Sequence, residues 1–205
     1  MAAPILLVDA QHAQPRHVAR AVTVLQNGGL IAYPTDTFYA YGCDLFSKKG
    51  TERLYHLKGR PKDRPLTFVC ADLSDLSRYA SVTNFAHRVL RSLTPGAFTF
   101  ILDATRLVPD AMRMPKGQVG IRVPDSPLVR TLAAELGHPL TATSATDPEG
   151  VVLTDAHDVK QVLGQGVDLI LDGGVQLNEP STVVSLVGDQ LEVLRQGKGI
   201  VPILE

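Results

Sequence analysis

The sequence predicts an α/β fold whose sheet mixes parallel and antiparallel strands. Stretches with helical periodicity alternate with short apolar, β-branched stretches, as in α/β proteins. Some neighbouring strand-like stretches have no helix between them, which argues against a strictly parallel sheet. No internal repeat, low-complexity segment or linker interrupts residues 1–205. We therefore expect a single domain over that whole range.

Length and composition suit one domain with a substantial core. The chain has 205 residues, of which 44% are hydrophobic, enough to bury a core. Its net charge of −1 and pI of about 6.6 exclude a global basic signature for nucleic acid. The charge is nevertheless uneven, because residues 48–64 hold seven Lys and Arg against two acidic residues. Such a concentrated basic segment indicates a local anion site.

The cysteines and histidines indicate neither a disulfide framework nor a metal centre. Cys43 and Cys70 lie far apart, in or beside apolar runs, and are expected to be small core residues. The six histidines show no metal-ligand spacing, so we predict no metal held by the protein. The sequence shows no signal-peptide pattern and no apolar run long enough to span a bilayer. We therefore expect a cytoplasmic location.

The first predicted elements are a helix at 15–27, ended by a glycine pair, and a strand at 30–33. The apolar residues on the buried stripe of the helix are Val18, Ala21, Val22 and Leu25. The segment 34–44 is predicted to be a hydroxyl-rich turn that presents Thr35 and Thr37. Ordinary turn chemistry explains the same residues, so this segment alone does not indicate a site.

A basic loop between a helix and a strand is the feature around which the sequence is organised. We predict the helix over 50–57 and the strand over 66–70. Lys58 supplies a point charge and Arg60 a planar fork, a pair that suits phosphate or carboxylate. Two prolines stiffen the loop, and Gly59 removes side-chain bulk so that backbone or ligand can approach. The alternative is a solvated basic loop.

The rest of the chain continues the alternation of helices and strands. Further helices are predicted at 74–79, 84–93, 127–136 and 155–163. Further strands are predicted at 98–102, 119–123, 139–143, 167–171, 181–186 and 191–196. Ser126 is predicted to cap the helix that begins at Pro127. Gly188-Asp189 is predicted to turn the last two strands into a pair. Arg122 lies in an apolar strand, where it is either an edge residue or a ligand clamp.

Several common nucleotide-binding and nucleophile motifs are absent. The sequence has no P-loop, no glycine-rich dinucleotide motif opening a helix and no Gly-x-Ser-x-Gly elbow. What remains is a set of cations and hydroxyls at strand exits, suited to polarising a phosphorylated substrate without a covalent intermediate. These residues are Thr35, Thr37, Lys58, Arg60, Arg122, Ser144, Ser181 and Arg195.

An ordered series of short motifs accompanies this set. The motifs are Pro34-Thr-Asp-Thr, Lys58-Gly-Arg60-Pro with Pro65-Leu66, Pro95-Gly96-x-x-Thr99, Arg122-Val-Pro124, Thr143-Ser144-Ala145, Asp172-Gly-Gly, Pro180-Ser-Thr-Val and Arg195-x-Gly197. Each is weak alone. In this order, from about 13 to 197, they resemble the YrdC-like family of threonylcarbamoyl-AMP synthases, and within it the YciO branch. The resemblance implies a twisted mixed sheet flanked by helices, the YrdC-like fold, with a basic concave face.

The resemblance also implies an activity. It implies that L-threonine, bicarbonate and ATP react to give threonylcarbamoyl-AMP and pyrophosphate, for the modification of adenosine-37 in tRNA. Lys58 and Arg60 would be the catalytic clamp, ATP a substrate accompanied by Mg²⁺, and partner enzymes would transfer threonylcarbamoyl to tRNA. The implied substrate-binding residues are Thr35, Thr37, Thr99, Arg122, Ser144, Thr146, Ser181 and Arg195.

Binding of RNA, as tRNA or double-stranded RNA, is a further implication of the resemblance. The implied RNA-binding residues are Lys48, Lys49, Arg53, Lys62 and Arg64. Three positions depart from the family pattern: Val69 stands where histidine is common, Thr146 where asparagine occurs, and Ser185 where aspartate is usual. These are YciO-like features, whereas Lys58-x-Arg60 matches the family.

The sequence leaves two functions open. The first is synthesis of threonylcarbamoyl-AMP. The second is RNA binding by a YciO-type protein whose nucleotide site is weak or vestigial. A third alternative, a carbamoyl-adenylate enzyme of hydrogenase maturation, belongs to much longer chains. Pyrophosphate release that depends on threonine and bicarbonate separates the first function from the second.

Overall fold

The structure is a computed structural model that describes residues 3–59, 66–177 and 179–202. In these residues, ten strands form one mixed sheet, and six α-helices pack on it. The strands are β1 (Ile5–Leu7), β2 (Ile31–Pro34), β3 (Tyr39–Asp44), β4 (Thr67–Val69), β5 (Phe98–Asp103), β6 (Gln118–Arg122), β7 (Leu140–Ser144), β8 (Leu169–Asp172), β9 (Thr182–Ser185) and β10 (Glu192–Arg195). The helices are α1 (Pro15–Gln26), α2 (Lys48–Lys58), α3 (Leu73–Tyr79), α4 (Asn84–Leu93), α5 (Pro127–Leu136) and α6 (Ala156–Leu163). The mixed α/β fold predicted from the sequence is confirmed.

The strand order is β1-β8-β2-β3-β7-β4-β6-β5-β9-β10, so the first and last strands form the two edges of the sheet. The pairs β1–β8, β8–β2, β4–β6 and β5–β9 are parallel. The remaining pairs are antiparallel. Three of these, β2–β3, β5–β6 and β9–β10, join strands that follow each other without an α-helix between them, as antiparallel pairing allows.

The sequence analysis missed two strands, β1 and β3. The first has only three residues, too few for a periodic signal. The second falls in 34–44, which was predicted to be a turn; the structure confines the turn to 35–38 between paired strands. Most of β3 is buried on both faces, and such a strand lacks the polar alternation that marks a half-exposed one. Every other predicted element is present, with ends within two residues of those predicted.

Helices cover the two faces of the sheet unequally. One face packs against α2, α3, α4 and α6 through a large apolar cluster that includes Phe68, Phe100, Ile121 and Val184. The other face packs against α1 and α5, and its buried cluster takes sheet residues from β2, β4, β7 and β8. Among the described residues, β5, β6 and β9 contribute none to that second cluster. The half of the second face that they form is therefore open to a cavity.

The ends of two helices bear on the sequence predictions. Helix α2 ends at Gly59, whose φ of +62° is left-handed, a conformation that glycine adopts without strain. A Cβ at Gly59 would meet no described atom within 4 Å, so the described residues give no support to the predicted close approach. Residues 60–65, which include Arg60, lie outside the described residues. Ser126 is the N-cap residue of α5 and Pro127 its first residue, as predicted, although the Ser126 side chain makes no capping hydrogen bond.

Both cysteines are buried core residues, as predicted, and neither forms a disulfide. Burial raises the pKa of the Cys43 thiol to about 12. Burial likewise raises the pKa of Cys70 well above its ordinary value. Both thiols are therefore neutral and unreactive at physiological pH. Within the described part of the chain, no helix combines the length and the apolar character needed to cross a membrane.

Candidate active site

A cavity of about 280 Å³ lies over the part of the sheet that α1 and α5 leave uncovered. Strand side chains at alternating positions point to the same face of a sheet, and five pairs of lining residues follow that rule. The pairs are Thr67 and Val69 on β4, Thr99 and Ile101 on β5, Gly120 and Arg122 on β6, Ala142 and Ser144 on β7, and Ser181 and Val183 at β9. Arg195 of β10 and the turn after β2 complete the wall.

The structure brings most of the predicted site residues to this one cavity. The lining includes Thr35, Thr37, Thr99, Arg122, Ser144, Ser181 and Arg195. Lys58 and Thr146 are not lining residues but lie at the rim, where both adjoin Ser144. Arg60, the other predicted member of the clamp, falls among the residues that the structure does not describe.

Arg122 is an interior residue of the sheet, because β6 lies between β4 and β5. The edge-residue alternative is therefore wrong. Its Nη2 donates to the Asp36 carboxylate and its Nη1 donates to Thr37 Oγ1 at 3.1 Å. The side chains of Arg122 and Asp36 are only 11% and 8% exposed. A pair this buried is costly to desolvate, and removing one partner leaves the other charge uncompensated.

In the turn after β2, the hydroxyls of Thr35 and Thr37 both donate their protons to other groups of the protein. Thr35 Oγ1 donates to the Phe38 carbonyl at 2.7 Å and accepts from the Thr37 amide at 3.0 Å. The Thr35 and Thr37 hydroxyl oxygens are 2.9 Å apart, so Thr37 must be the donor between them. Since Arg122 also donates to Thr37, the Thr37 hydroxyl keeps only one lone pair for a ligand. Toward a ligand, the Thr37 hydroxyl can therefore only accept a hydrogen bond.

The opposite wall has a hydroxyl proton to give. Thr99 Oγ1 and Ser181 Oγ are 2.9 Å apart, and only one of the two can donate across that contact. Arg195 Nη2 donates to the Ser181 carbonyl at 2.7 Å and to Ser181 Oγ at 3.4 Å. One hydroxyl proton of the pair therefore remains for a ligand oxygen. Together with the guanidinium of Arg195, this wall suits a phosphate or carboxylate.

Lys58 is held at the rim of the cavity by the residues that follow β7. Its Nζ donates to the Ser144 carbonyl at 2.8 Å and to Thr146 Oγ1 at 2.8 Å. The same ammonium lies 5.9 Å from the centre of the Tyr41 ring, within the range of a cation–π contact. The last residue of α2 is thereby brought to the exit of β7, although Lys58 itself ends a helix and not a strand.

The lining of the cavity is positively charged. Arg122 and Arg195 are its charged residues, and no aspartate or glutamate lines it among the residues that the structure describes. Residues 3–59, 66–177 and 179–202 also contain no group of three or more His, Cys, Asp or Glu that could hold a metal ion. The charged side chains in the described lining are therefore of the kind that pairs with an anion.

The described members of the predicted RNA-binding set, all on α2, differ in their surroundings. Lys48 and Lys49 are exposed at the start of α2. Arg53 instead forms a bidentate salt bridge with Asp168: the Nη1–Oδ2 distance is 2.7 Å and the Nη2–Oδ1 distance is 3.2 Å. Its Nη2 also donates to the Gly166 carbonyl. This contact ties α2 to the start of β8. Lys62 and Arg64 lie outside the described residues, and RNA binding stays a prediction.

Sequence reasoning missed residues of two kinds. Asp36 lies within a quoted motif and Lys198 directly follows one, but neither was chosen, although the Lys198 ammonium donates to the Asp36 carbonyl at 2.6 Å. Their signal was a charge in or next to a site motif. Ile101, Met114 and Val183 form an apolar part of the lining. An apolar strand residue that faces a cavity has the same sequence pattern as one that faces the core, so no signal could have found them.

Comparisons with known proteins extend this description. A family model named for Sua5, YciO and YrdC, with the description "Telomere recombination", matches residues 23–197. The chain is 37% identical over 194 residues to the uncharacterized protein YciO of Escherichia coli, and the alignment covers 94% of each chain. The crystal structure of E. coli YciO superposes with a TM-score of 0.91 over 97% of this chain and 98% of that one.

Proteins named for the synthase activity are also similar. The threonylcarbamoyl-AMP synthase of Vibrio vulnificus is 31% identical over 88% of this chain and 98% of its own length. The crystal structure of P. abyssi Sua5 complexed with L-threonine is 27% identical, with a TM-score of 0.86 over 95% of this chain and 57% of that longer chain. The resemblance that the ordered motifs predict is confirmed, and the chain belongs to the Sua5/YciO/YrdC family.

Proposed function

We propose that this protein is a threonylcarbamoyl-AMP synthase-like nucleotidyltransferase. Its substrates would be L-threonine, bicarbonate and ATP, and its products threonylcarbamoyl-AMP and pyrophosphate. Partner enzymes would then transfer threonylcarbamoyl to adenosine-37 of tRNA. The observation that carries the proposal is the single cavity in which two arginines and five predicted hydroxyl residues meet beside Lys58. The similarity to the Vibrio vulnificus synthase over 98% of that protein supports it.

The charges around the cavity fit the difficulty of this reaction. Attack of a carbamate on the α-phosphate of ATP brings two anions together, so cations must lower their repulsion. Arg122 and Arg195 would do so from the wall, and Lys58 from the rim. Because these cations are held by hydrogen bonds before a ligand arrives, they need no costly reorganisation in the transition state. Arg60, which directly follows Gly59, is proposed as the second member of the clamp.

The two walls suggest how the substrates would lie. The Ser181 wall offers a proton and a guanidinium to phosphate oxygens, while the Thr37 wall offers a lone pair to an N–H or O–H of the amino acid. The cavity of about 280 Å³ is near the lower end of the roughly 300–1,000 Å³ typical of ligand sites. It suits the reacting groups rather than a whole nucleotide. With no carboxylate in the described lining, Mg²⁺ would be held mainly by the ATP phosphates.

The proposal is tested by following pyrophosphate release from ATP with and without L-threonine and bicarbonate. We expect release that requires both. Lys58→Ala should abolish it, whereas Lys48→Ala, which removes the same charge from the other end of α2, should leave it unchanged. Release that is indifferent to threonine, or no release from well-folded protein with Mg²⁺, would contradict the proposal.

A second candidate function is RNA binding with a weak or vestigial nucleotide site. Two observations favour it: Lys48 and Lys49 are adjacent and exposed, and the chain is 37% identical to E. coli YciO but 31% identical to the Vibrio vulnificus synthase. The same preparation decides between the two functions. Protein that binds tRNA or double-stranded RNA but releases no threonine-dependent pyrophosphate would support the second candidate.

A further inference from the structure

Asp36 connects four segments of the chain beside the cavity, although it is not one of the lining residues. Its Oδ1 accepts from Arg122 Nη2, and its Oδ2 accepts from the Asp125 amide at 3.0 Å. Its carbonyl accepts from Lys198 Nζ at 2.6 Å. The carboxylate therefore joins the turn after β2 to the end of β6 and the start of α5, and its carbonyl joins the turn to the segment after β10.

We propose that Asp36 is a positioning residue that holds the guanidinium of Arg122 in the one orientation in which it faces a bound anion. Arg122 has two hydrogen-bond partners among the described residues, Asp36 and the Thr37 hydroxyl, and its buried Nε has none. Asp36 is thus the negatively charged partner of Arg122 among the described residues. The identity of the anion rests on the proposed function, but the contact does not.

Asp36 could influence the site in another way, and the two effects have opposite signs. A carboxylate next to Arg122 lowers the positive potential of the cavity, so its charge alone weakens the binding of an anion. If charge were its main effect, neutralising Asp36 would tighten that binding. If Asp36 positions Arg122, neutralising it frees the guanidinium to rotate, and binding weakens. The direction of the change in affinity therefore distinguishes a positioning role from an electrostatic one.

The first measurement is calorimetric titration of MgATP and of L-threonine into Asp36→Asn and its matched control, Asp125→Asn. The control removes the same charge from an exposed side chain next to the same contact. We expect Asp36→Asn to weaken ligand binding about tenfold or more, the change that corresponds to one charge-assisted contact, and Asp125→Asn to leave it unchanged. Unchanged or tighter binding by folded Asp36→Asn would overturn the proposal.

The second measurement does not depend on the proposed function. Side-chain ¹⁵N spectra of arginine report whether rotation of the guanidinium is restrained, and Arg122→Lys identifies the Arg122 signal. We expect separate, slowly exchanging Nη signals for Arg122 in the wild type and in Asp125→Asn, and their collapse in Asp36→Asn. If wild-type protein binds neither ligand, the proposed function fails, and these spectra still decide the role of Asp36.

Asp36→Glu keeps the measurement informative if the asparagine variant does not fold. Glutamate retains the charge and moves it by one methylene group, so the Arg122 signals should stay slow in exchange but shift. Melting curves establish which variants are folded. Arg122 signals that are identical in the wild type and in a folded Asp36 variant would show that another contact holds the guanidinium, and the proposal would be wrong.

Discussion

Val69 faces the cavity from β4 and lies directly opposite Arg122 in the pairing of β4 with β6. It is only 6% exposed, and it also belongs to the apolar cluster under α1 and α5. A polar side chain at this position would therefore reach the cavity, at the cost of some apolar packing. Thr146, another departure from the family pattern, contacts Lys58 at the rim.

The double variant Val69→His with Thr146→Asn is expected to increase threonine-dependent pyrophosphate release. Imidazole adds a polar contact that valine cannot make, and an asparagine oxygen can still accept from Lys58. Each hydrogen bond contributes about 0.5–1.5 kcal/mol. A tenfold rate change needs about 1.4 kcal/mol, so the one added contact is expected to increase the rate up to roughly tenfold. The rate rises only if the contacts strengthen in the transition state.

Val69→Leu is the control for that variant, because it changes the volume at the position without adding a polar atom. It should give no gain. If the double variant keeps its melting temperature and still shows no change in kcat or KM, the two departures are neutral. The difference between branches of the family would then depend on other residues, Ser185 among them.

For single residues, the sequence predicts which side chains lie at the cavity better than it predicts their hydrogen-bond partners. The seven hydroxyl and arginine residues that line the cavity could be chosen because motif order and strand exits bring them together. Their hydrogen bonds could not, since the Thr37 hydroxyl accepts from Arg122, which is 85 positions away. The Arg53–Asp168 contact spans 115 positions, and no local pattern distinguishes such a pair from two solvated charges.

Helix α2 is fixed to the sheet by a charged contact at its middle. The Asp168 carboxylate accepts from Arg53 and from the Leu30 amide, the latter at 2.7 Å. Partial burial of Asp168 opposes its ionisation, but these hydrogen bonds outweigh burial and lower its pKa below the ordinary 3.8. The ionised carboxylate therefore stabilises the fold at pH values above 3.8, and this stabilisation disappears as the pH falls through the lowered pKa.

Asp168→Asn is expected to lower the free energy of unfolding by about 1 kcal/mol at neutral pH, a small value because exposure weakens such pairs. The difference from the wild type should shrink towards zero as the pH falls below about 4. Urea denaturation at a series of pH values measures it. Asp103→Asn, on an exposed residue of β5, is the control and should match the wild type. A difference that persists at low pH would show that the charge on Asp168 is not the cause.

The start of α2 is the element expected to contact RNA. Lys48→Ala with Lys49→Ala should weaken RNA binding and flatten its dependence on salt, because each lost phosphate contact removes about 0.7–0.9 released counterion. Arg53 is left intact in this variant, since its contact with Asp168 is structural. Filter binding at several salt concentrations gives the slope.

The matched control removes two positive charges from a different helix. Arg88→Ala with Arg91→Ala changes exposed residues of α4 and should leave the salt slope unaltered. Equal losses in the two double variants would indicate that only net charge matters. An unaltered affinity after removal of Lys48 and Lys49 would exclude the start of α2 as the RNA-binding element.

At the scale of the whole molecule, one sheet connects distant parts of the chain. Strand β7, for example, lies between β3 and β4. We therefore propose that residues 1–205 form a single cooperative domain. Thermal unfolding followed by far- and near-UV circular dichroism is expected to give one transition with the same midpoint in both signals. Two separated transitions would show that the sheet contains independent units.

The sequence predicts the elements of this molecule better than their arrangement. Within the described residues, the sequence pattern placed all six α-helices and eight of the ten strands, because it reflects which side of each element is buried. The order of the strands in the sheet, by contrast, is not encoded in any local sequence pattern. The neighbours β5 and β9, for example, pair Phe98 with Thr182 across 84 positions. The shape of the cavity depends on that order, so only the three-dimensional structure could supply it.

The strand order also determines when the cavity can first exist during protein synthesis. The residues that line the cavity extend along the sequence from Tyr33 in β2 to Arg195 in β10. Domains fold as the ribosome releases them, and pairing between distant strands is slow. A nascent chain that ends before β10 lacks Arg195 and the segment that carries Lys198. Ligand therefore meets a complete wall only after β10 has emerged and paired with β9, and unfinished chains should not sequester it.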